Sequence, residues 1–279
     1  VKSDTILYEK YFNNYNQESV VTTFSIAKSF VSSLIGIAIS EGYIDNVNDP
    51  ITKYLPYIDK EEFADLTIKN LLNMRSGLDA NEGYYNPFGD VAKYYYGTNL
   101  KKYLTKIKKK ETPGKHYEYL SVNTQLLADI IEHTTKKSVS QYLQEKIWEP
   151  LQMESDATWS IDSKRNKTVK AYCCINAKAR DFAKFGRLYL NKGKWNGKQI
   201  VPEEWVYNSS HATNNSKTRL GYFYSYQWRG TDDGAFFARG LLGQYIFVYP
   251  KYDFIAIRFG KDYGDVNWID FFTPIAKEL

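Results

Sequence analysis

The 279-residue sequence predicts an α+β fold of the α/β/α type, an antiparallel β-sheet flanked by N- and C-terminal helices with an all-helical region inserted between. Three observations lead there. Runs rich in aromatic and β-branched residues sit towards both ends, the middle shows helical apolar spacing, and the chain closes on an amphipathic segment. The expected division is a sheet unit from 1–44 and 165–279 and a helical insert from 45–164, with an active site in the cleft between them.

The elements follow in order. "TILYEKYF" (5–12) alternates and is rich in β-formers, which predicts a strand. The stretch 25–41 predicts a helix that is apolar nearly all round, with Phe30, Val31, Leu34, Ile35, Ile37 and Ala38, and therefore buried. In the middle, "TIKNLLNM", "NTQLLADIIEHT" and "VSQYLQEKIWEPL" have helical spacing and polar starts, whereas "SGLDANEGYYNPFGDVAKYYYG" reads as a tyrosine-rich loop. "ARDFAKFGRLYLNKG" is a helix closed by Gly193. After it, "GYFYSYQWRG", "GAFFARG", "GQYIFVYP" and "DFIAIRFG" read as an antiparallel meander. Finally, "DVNWIDFFTPIAKEL" places Val266, Ile269, Phe272 and Ile275 on one helical face.

Composition narrows the function. A formal charge of +5 is modest, and the lysine run at 100–111 has neither a nucleic-acid signature nor a Gly-rich phosphate loop beside it, so it reads as a solvated face. Nucleic acid is not expected as a partner. The three histidines, His116, His133 and His211, lack metal-ligand spacing with one another or with the cysteines, so no metal is expected. Cys173 and Cys174 are adjacent and read as a buried pair of small apolar thiols.

Chemistry enters at "TTFSIAKSF". Ser25 and Lys28 lie three apart on a helix and so share a face. A serine hydroxyl needs a base to become a nucleophile, and a lysine serves when its charged form is disfavoured by burial. The helix N-terminus would place backbone amides near a developing oxyanion. No other Ser-x-x-Lys occurs in the chain, and this lysine sits in an otherwise apolar helix, where it is costly without a task. The alternative is a lysine on a helix with a serine one turn away. Further on, "TPGKHYEYLSVN" sets a Pro-Gly turn ahead of tyrosines, so that Tyr119, Ser121 and Asn123 can reach a cleft, the phenol relaying protons.

"SIAK" opening a buried helix, "PGKHYEY", and the late strand "FFARGLLGQYIFVYP" resemble the three motif regions of the serine β-lactamase and penicillin-binding-protein superfamily. "LLNMRSGLD", "IWEPLQM" and "ARDFAKFGRLYL" are similar to its class C-like branch of serine hydrolases, which includes esterases and 6-aminohexanoate-dimer hydrolase. The resemblance spans nearly the whole chain. It implies Ser25 as the acylated nucleophile, Lys28 as its base, Tyr119 as the proton relay, and the backbone N–H groups of Ser25 and Leu241 as the oxyanion hole.

Departures matter as well. Class C enzymes carry Tyr-x-Asn where this chain has "YLS", with Asn123 two residues on, and the usual Lys-Thr-Gly is replaced by Ala238, Arg239 and Gly240. The lost lysine normally helps hold a substrate carboxylate. Arg239 is the substitute within the motif, although its planar head is not equivalent to an ammonium.

Ser121, Asn123, Arg239, Gly240, Tyr84 and Tyr85 are the expected substrate-binding residues, with Tyr94, Tyr95 and Tyr96 as further candidates for a cleft wall or lid. Asp79 and Glu82 would face a cationic substrate group or simply reflect loop polarity. His116 reads as structural or solvent-facing, and no Gly-x-Ser-x-Gly elbow is present.

The expected activity is hydrolysis of a small amide or ester through an acyl-enzyme, with no cofactor. The alternatives are a β-lactamase or D-Ala-D-Ala carboxypeptidase and, from another class, a silent module that binds penicillin or cell-wall fragments. Compartment and oligomeric state are left open. Because many of the proteins it resembles are exported, a periplasmic or other extracytoplasmic location is favoured, with an upstream signal or anchor missing.

Overall fold

The computed structural model describes residues 1–83 and 89–279. Its elements in chain order are β1 (Val20–Thr22), α1 (Ala27–Ser40), α2 (Ile68–Leu72), α3 (Asp90–Tyr96), α4 (Leu100–Leu104), α5 (Ser121–Thr135), α6 (Val139–Leu143), β2 (Thr158–Trp159), β3 (Ile175–Lys178) and α7 (Ala179–Leu190). There follow β4 (Lys194–Trp195), β5 (Lys198–Gln199), α8 (Glu203–Ser210), β6 (Phe223–Ser225), β7 (Trp228–Gly230), β8 (Phe236–Gly240), β9 (Gln244–Tyr249), β10 (Phe254–Arg258) and α9 (Trp268–Glu278).

Among the described residues, the last five strands form an antiparallel meander ordered β10-β9-β8-β7-β6. Period-2 alternation gives the sheet two apolar faces. Phe237, Tyr245, Phe247 and Phe254 meet Ile269, Phe272 and Ala276 of α9 on one face, while Phe236, Ala238, Ile246 and Val248 join the main core on the other. The predicted α+β class and antiparallel meander are therefore present.

Several details differ from expectation. The sheet's second face is covered first by α7, and α1 lies behind it, the Phe30 ring stacked on Phe185 with centroids 3.7 Å apart. Residues 6–12 form no strand: Ile6, Leu7, Tyr8 and Phe12 are exposed, and among the described residues the segment pairs with no strand. The first strand is β1, which joins β3 and β2 in a small separate sheet. "GYFYSYQWRG" is a hairpin, because Tyr226 and Gln227 both take positive φ (44° and 65°) and turn the chain between β6 and β7. α3 arises within the segment expected to be a loop.

Elsewhere local chemistry acts as predicted. Thr67 and Asn70 form a reciprocal capping box on α2, as Ser138 and Gln141 do on α6. The lysine run is held in surface ion pairs, Lys108 with Glu62, Lys109 with Asp65 and Lys110 with Glu118. In α1 the predicted apolar residues are all buried, and Gly36 admits the Trp205 ring, since a Cβ there would stand 2.4 Å from it. Among the described residues no helix is long and apolar enough to cross a membrane.

Candidate active site

The site begins one turn before α1. Phe24–Ile26 form a 3-10 turn, and Phe24 is held in the left-handed region (φ 46°), which costs a non-glycine residue roughly 1–2 kcal/mol. Its surroundings hold it there. Thr23 is buried and exchanges bonds with Ile175 of β3, its N–H donating to the carbonyl and its Oγ1 accepting from the N–H, both at 3.0 Å. The Cys174 N–H donates to the Phe24 carbonyl.

This turn leaves Ser25 partly exposed and Lys28 only 1 % exposed. The Lys28 Nζ lies 3.1 Å from Ser25 Oγ and donates to the Tyr172 carbonyl oxygen at 2.7 Å. It also sits 5.1 Å from the Tyr119 ring centre and 5.9 Å from that of Tyr172. A buried cation without partners would be expensive, and two oxygens and two ring faces offset that cost here.

Tyr119 arrives from the loop before α5. The Arg75 guanidinium pins the Pro-Gly turn by donating to the carbonyls of Gly114 and Lys115, and the Met74 carbonyl accepts from the Glu118 N–H. The Tyr119 ring centre lies 5.1 Å from the Lys28 amine that donates to Ser25 Oγ. Burial works to raise the Tyr119 pKa, but the charges of Lys28 and Arg229, with a smaller effect of the Ser25 hydroxyl, outweigh that, and the phenol is held below its ordinary value.

The third strand closes the site. A Cβ on Gly240 would meet the Thr23 carbonyl oxygen at 2.2 Å, so only glycine lets β8 approach the Ser25 turn this closely. The next N–H along, that of Leu241, has no backbone acceptor among the described residues. Ser25 lies in the first turn of its helix, where the ladder provides no partner for N–H groups.

Other expected substrate contacts are placed differently. Ser121 is fully buried and occupied by Glu82, whose carboxylate accepts from its N–H at 2.7 Å and its hydroxyl at 2.5 Å, capping α5. Asn123 faces inward. It is fully buried, donating from Nδ2 to Met74 Sδ, and among the described residues its Oδ1 has no partner.

Arg239 lies on the opposite face of β8 from Ala238, over the rings of Tyr245 and Tyr263, so it does not replace a lysine at 238; successive strand residues point to opposite sides. Tyr84 and Tyr85 lie outside the described residues. Tyr94 is buried, Tyr95 packs on Tyr172 and Tyr96 is exposed. Asp79 is exposed, and His116 is largely exposed against Glu111.

Cys173 and Cys174, expected as thiols, are bonded to each other directly after Tyr172. Sequence reasoning did not single out Arg75, Met74 or Arg229. Arg75 and Met74 belong to "LLNMRSGLD", already noted for its similarity, whereas Arg229 had no motif to mark it. Among the described residues, no group of three or more His, Cys, Asp or Glu side chains is arranged to hold a metal ion.

Comparison with known proteins agrees with this architecture. A family model described as Beta-lactamase matches residues 1–264. The 6-aminohexanoate-dimer hydrolase of Paenarthrobacter ureafaciens is 24 % identical over 92 % of this chain and 70 % of its own length. Among solved structures, a Bacillus anthracis protein provisionally assigned as a 6-aminohexanoate-dimer hydrolase superposes with a TM-score of 0.87 at 27 % identity, covering 100 % of this chain and 78 % of that one. A penicillin-binding protein from Bacillus halodurans shares the fold, with a TM-score of 0.76 at 16 % identity over 100 % of this chain and 95 % of its own.

Proposed function

The chain belongs to the β-lactamase family and is a serine hydrolase, and from that premise we propose that it cleaves a small linear amide or ester through an acyl-enzyme on Ser25. The observation that carries this is the Lys28 amine, buried and 3.1 Å from the Ser25 hydroxyl. In its neutral form the amine takes the hydroxyl proton as Ser25 Oγ attacks the carbonyl carbon. The Tyr172 carbonyl keeps the amine aimed at Ser25.

The tetrahedral oxyanion lies between the N–H groups of Ser25 and Leu241, and each such donor contributes about 10²–10³ in rate. Tyr119 passes the proton to the leaving group, and the C–N or C–O bond breaks. Water then attacks the acyl ester, giving its proton to the Tyr119–Lys28 pair, which passes it to Ser25 Oγ as the C–O bond breaks, releasing the acid and free Ser25. The scheme draws on no metal or cofactor.

The cleft lies between the sheet unit (1–44 and 165–279), which supplies Ser25, Lys28 and Leu241, and the helical insert (45–164), which supplies Tyr119. Ala238 favours linear substrates over β-lactams, because the ammonium that would meet a β-lactam carboxylate is missing. The relative named for the 6-aminohexanoate dimer makes that linear amide the first candidate.

The test is intact-mass detection of fluorophosphonate adducts on wild type and Ser25→Ala, followed by turnover of p-nitrophenyl esters, nitrocefin, a D-alanyl-D-alanine peptide and the 6-aminohexanoate dimer. Labelling and turnover that vanish in Ser25→Ala are expected. Undiminished hydrolysis by Ser25→Ala would end the assignment, and fast nitrocefin turnover would reverse the substrate ranking.

A further inference from the structure

Position 238, where the third motif ordinarily places a cation, is a fully buried alanine, and Arg239 points to the other face of the sheet. A different strand brings a cation to the site. Arg229 of β7 pairs in register with Tyr224 of β6 and Phe237 of β8. Its guanidinium lies 5.3 Å from the Tyr119 ring centre and 5.2 Å from that of Tyr224, and these two rings meet edge to face at 6.1 Å.

The interactions of this arginine are unusual. It is partly buried, and the groups that act on it most are the phenols of Tyr119, Tyr224 and Tyr117. Even partial burial of an arginine has a cost that a neighbouring anion offsets. The Tyr119 oxygen is the group beside it that would carry negative charge in the proposed proton relay. Guanidinium also suits this setting, being planar, able to lie on aromatic faces, and charged at every working pH.

We propose that Arg229 is a positioning residue for Tyr119: from the neighbouring strand it supplies the fixed positive charge that residue 238 lacks, and it holds the phenol in place as the relay that carries the Ser25 proton from Lys28 to the leaving group. The inference rests on the acyl-enzyme reading above. Tyr119 then stands between two cations, Lys28 from α1 and Arg229 from β7. The other groups facing it are Ser25, Tyr224 from β6, Tyr117 of its own loop, Tyr95 of α3 and the Glu82 carboxylate, whose charge opposes the two cations.

The sign follows from this arrangement. A cation about 5 Å away favours phenolate and lowers a tyrosine pKa by about one unit or more. Without it, more hydroxide is needed to bring the Tyr119–Lys28 pair to its proton-accepting form, so the acid limb of the kcat/KM profile moves to higher pH.

The experiment measures kcat/KM against pH on p-nitrophenyl acetate, a substrate without a carboxylate, for wild type, Arg229→Gln and Arg229→Lys, alongside fluorophosphonate labelling of Ser25. The limb in Arg229→Gln is expected to move up by about one pH unit, with roughly tenfold less activity on that limb and partial return in Arg229→Lys. A limb that stays in place while the amplitude falls, or a change in KM alone, would overturn the inference.

If Arg229→Gln does not fold, NMR of wild type containing ζ-13C-tyrosine decides, the Tyr119 signal being identified by its loss in Tyr119→Phe. Titration below ordinary tyrosine supports the inference, and titration at or above it refutes it. Absent Ser25 labelling in wild type removes the acyl-enzyme reading and this inference together. Normal labelling with an unmoved limb removes only this one.

Discussion

Gly240→Ala tests whether the close approach of β8 to the Ser25 turn matters to the chemistry. The added Cβ would lie 2.2 Å from the Thr23 carbonyl oxygen and 3.1 Å from the Cβ atoms of Phe24 and Gln244. Ordinary non-bonded contacts start near 3.5 Å, so strand and turn must part by roughly 1 Å. Neither side yields easily: Thr23 is bonded to Ile175 through both N–H and Oγ1, and Gly240 is paired with Gln244 in the β8–β9 ladder.

The opening falls between the two N–H groups proposed to hold the oxyanion, so their separation grows while Ser25 and Lys28 stay together on one element. Loss of one such donor costs about 10²–10³ in rate, and a misplacement of about 1 Å about 10². Overpacking adds a stability cost of about 1–3 kcal/mol, or roughly 2–4 °C in Tm for each kcal/mol. The assay is kcat/KM on a p-nitrophenyl ester with a thermal melt on the same sample. A fall of about a hundredfold in kcat with a Tm lower by several degrees is expected. Activity within about threefold of wild type in a folded variant would refute the reasoning.

Two further outcomes test the packing and the buried charges. Phe30→Ala removes a ring stacked on Phe185 and set edge-on to Phe182, and should lower unfolding stability by about 3–5 kcal/mol in urea; a loss under about 1 kcal/mol would mean that α1 is not anchored there. Asp129 bears on pH. Burial raises its carboxyl above the ordinary 3.8, against the lowering effects of the Tyr57 hydroxyl, Lys101 and His133. Between the unfolded and the raised folded value the native state keeps a proton that the unfolded chain has released, so stability falls as pH rises through that window. Asp129→Asn removes the titration, and its Tm relative to wild type should be higher near neutral pH than in mild acid. An equal difference at both would contradict this.

How much of this was legible in advance depended on the range of the interactions involved. Helix spacing and caps are local, so the burial of α1, the Thr67 and Ser138 caps and the pairing of Ser25 with Lys28 could be read from neighbours a few residues apart. Residues 6–12 show the limit: alternation describes a strand's faces but does not provide the neighbour it needs, and among the described residues the segment pairs with no strand. Ser121 and Asn123 could not be read either, because Glu82 and Met74, which occupy them, come from elsewhere in the chain.

By itself the sequence determined the type of the sheet, the buried helix and the serine–lysine pair, since each follows from periodicity and spacing within one segment. Tertiary structure alone decided which cation faces Tyr119. Arg239 belongs to the motif but lies over the Tyr245 and Tyr263 rings, whereas Arg229, in no motif and on the same face of the sheet, has its guanidinium over the Tyr119 and Tyr224 rings. Alternation within a strand does not separate the two arginines; the docking of the Tyr119 loop against Tyr224 of β6 does, and that contact joins residues about a hundred positions apart, which no local pattern in the sequence encodes.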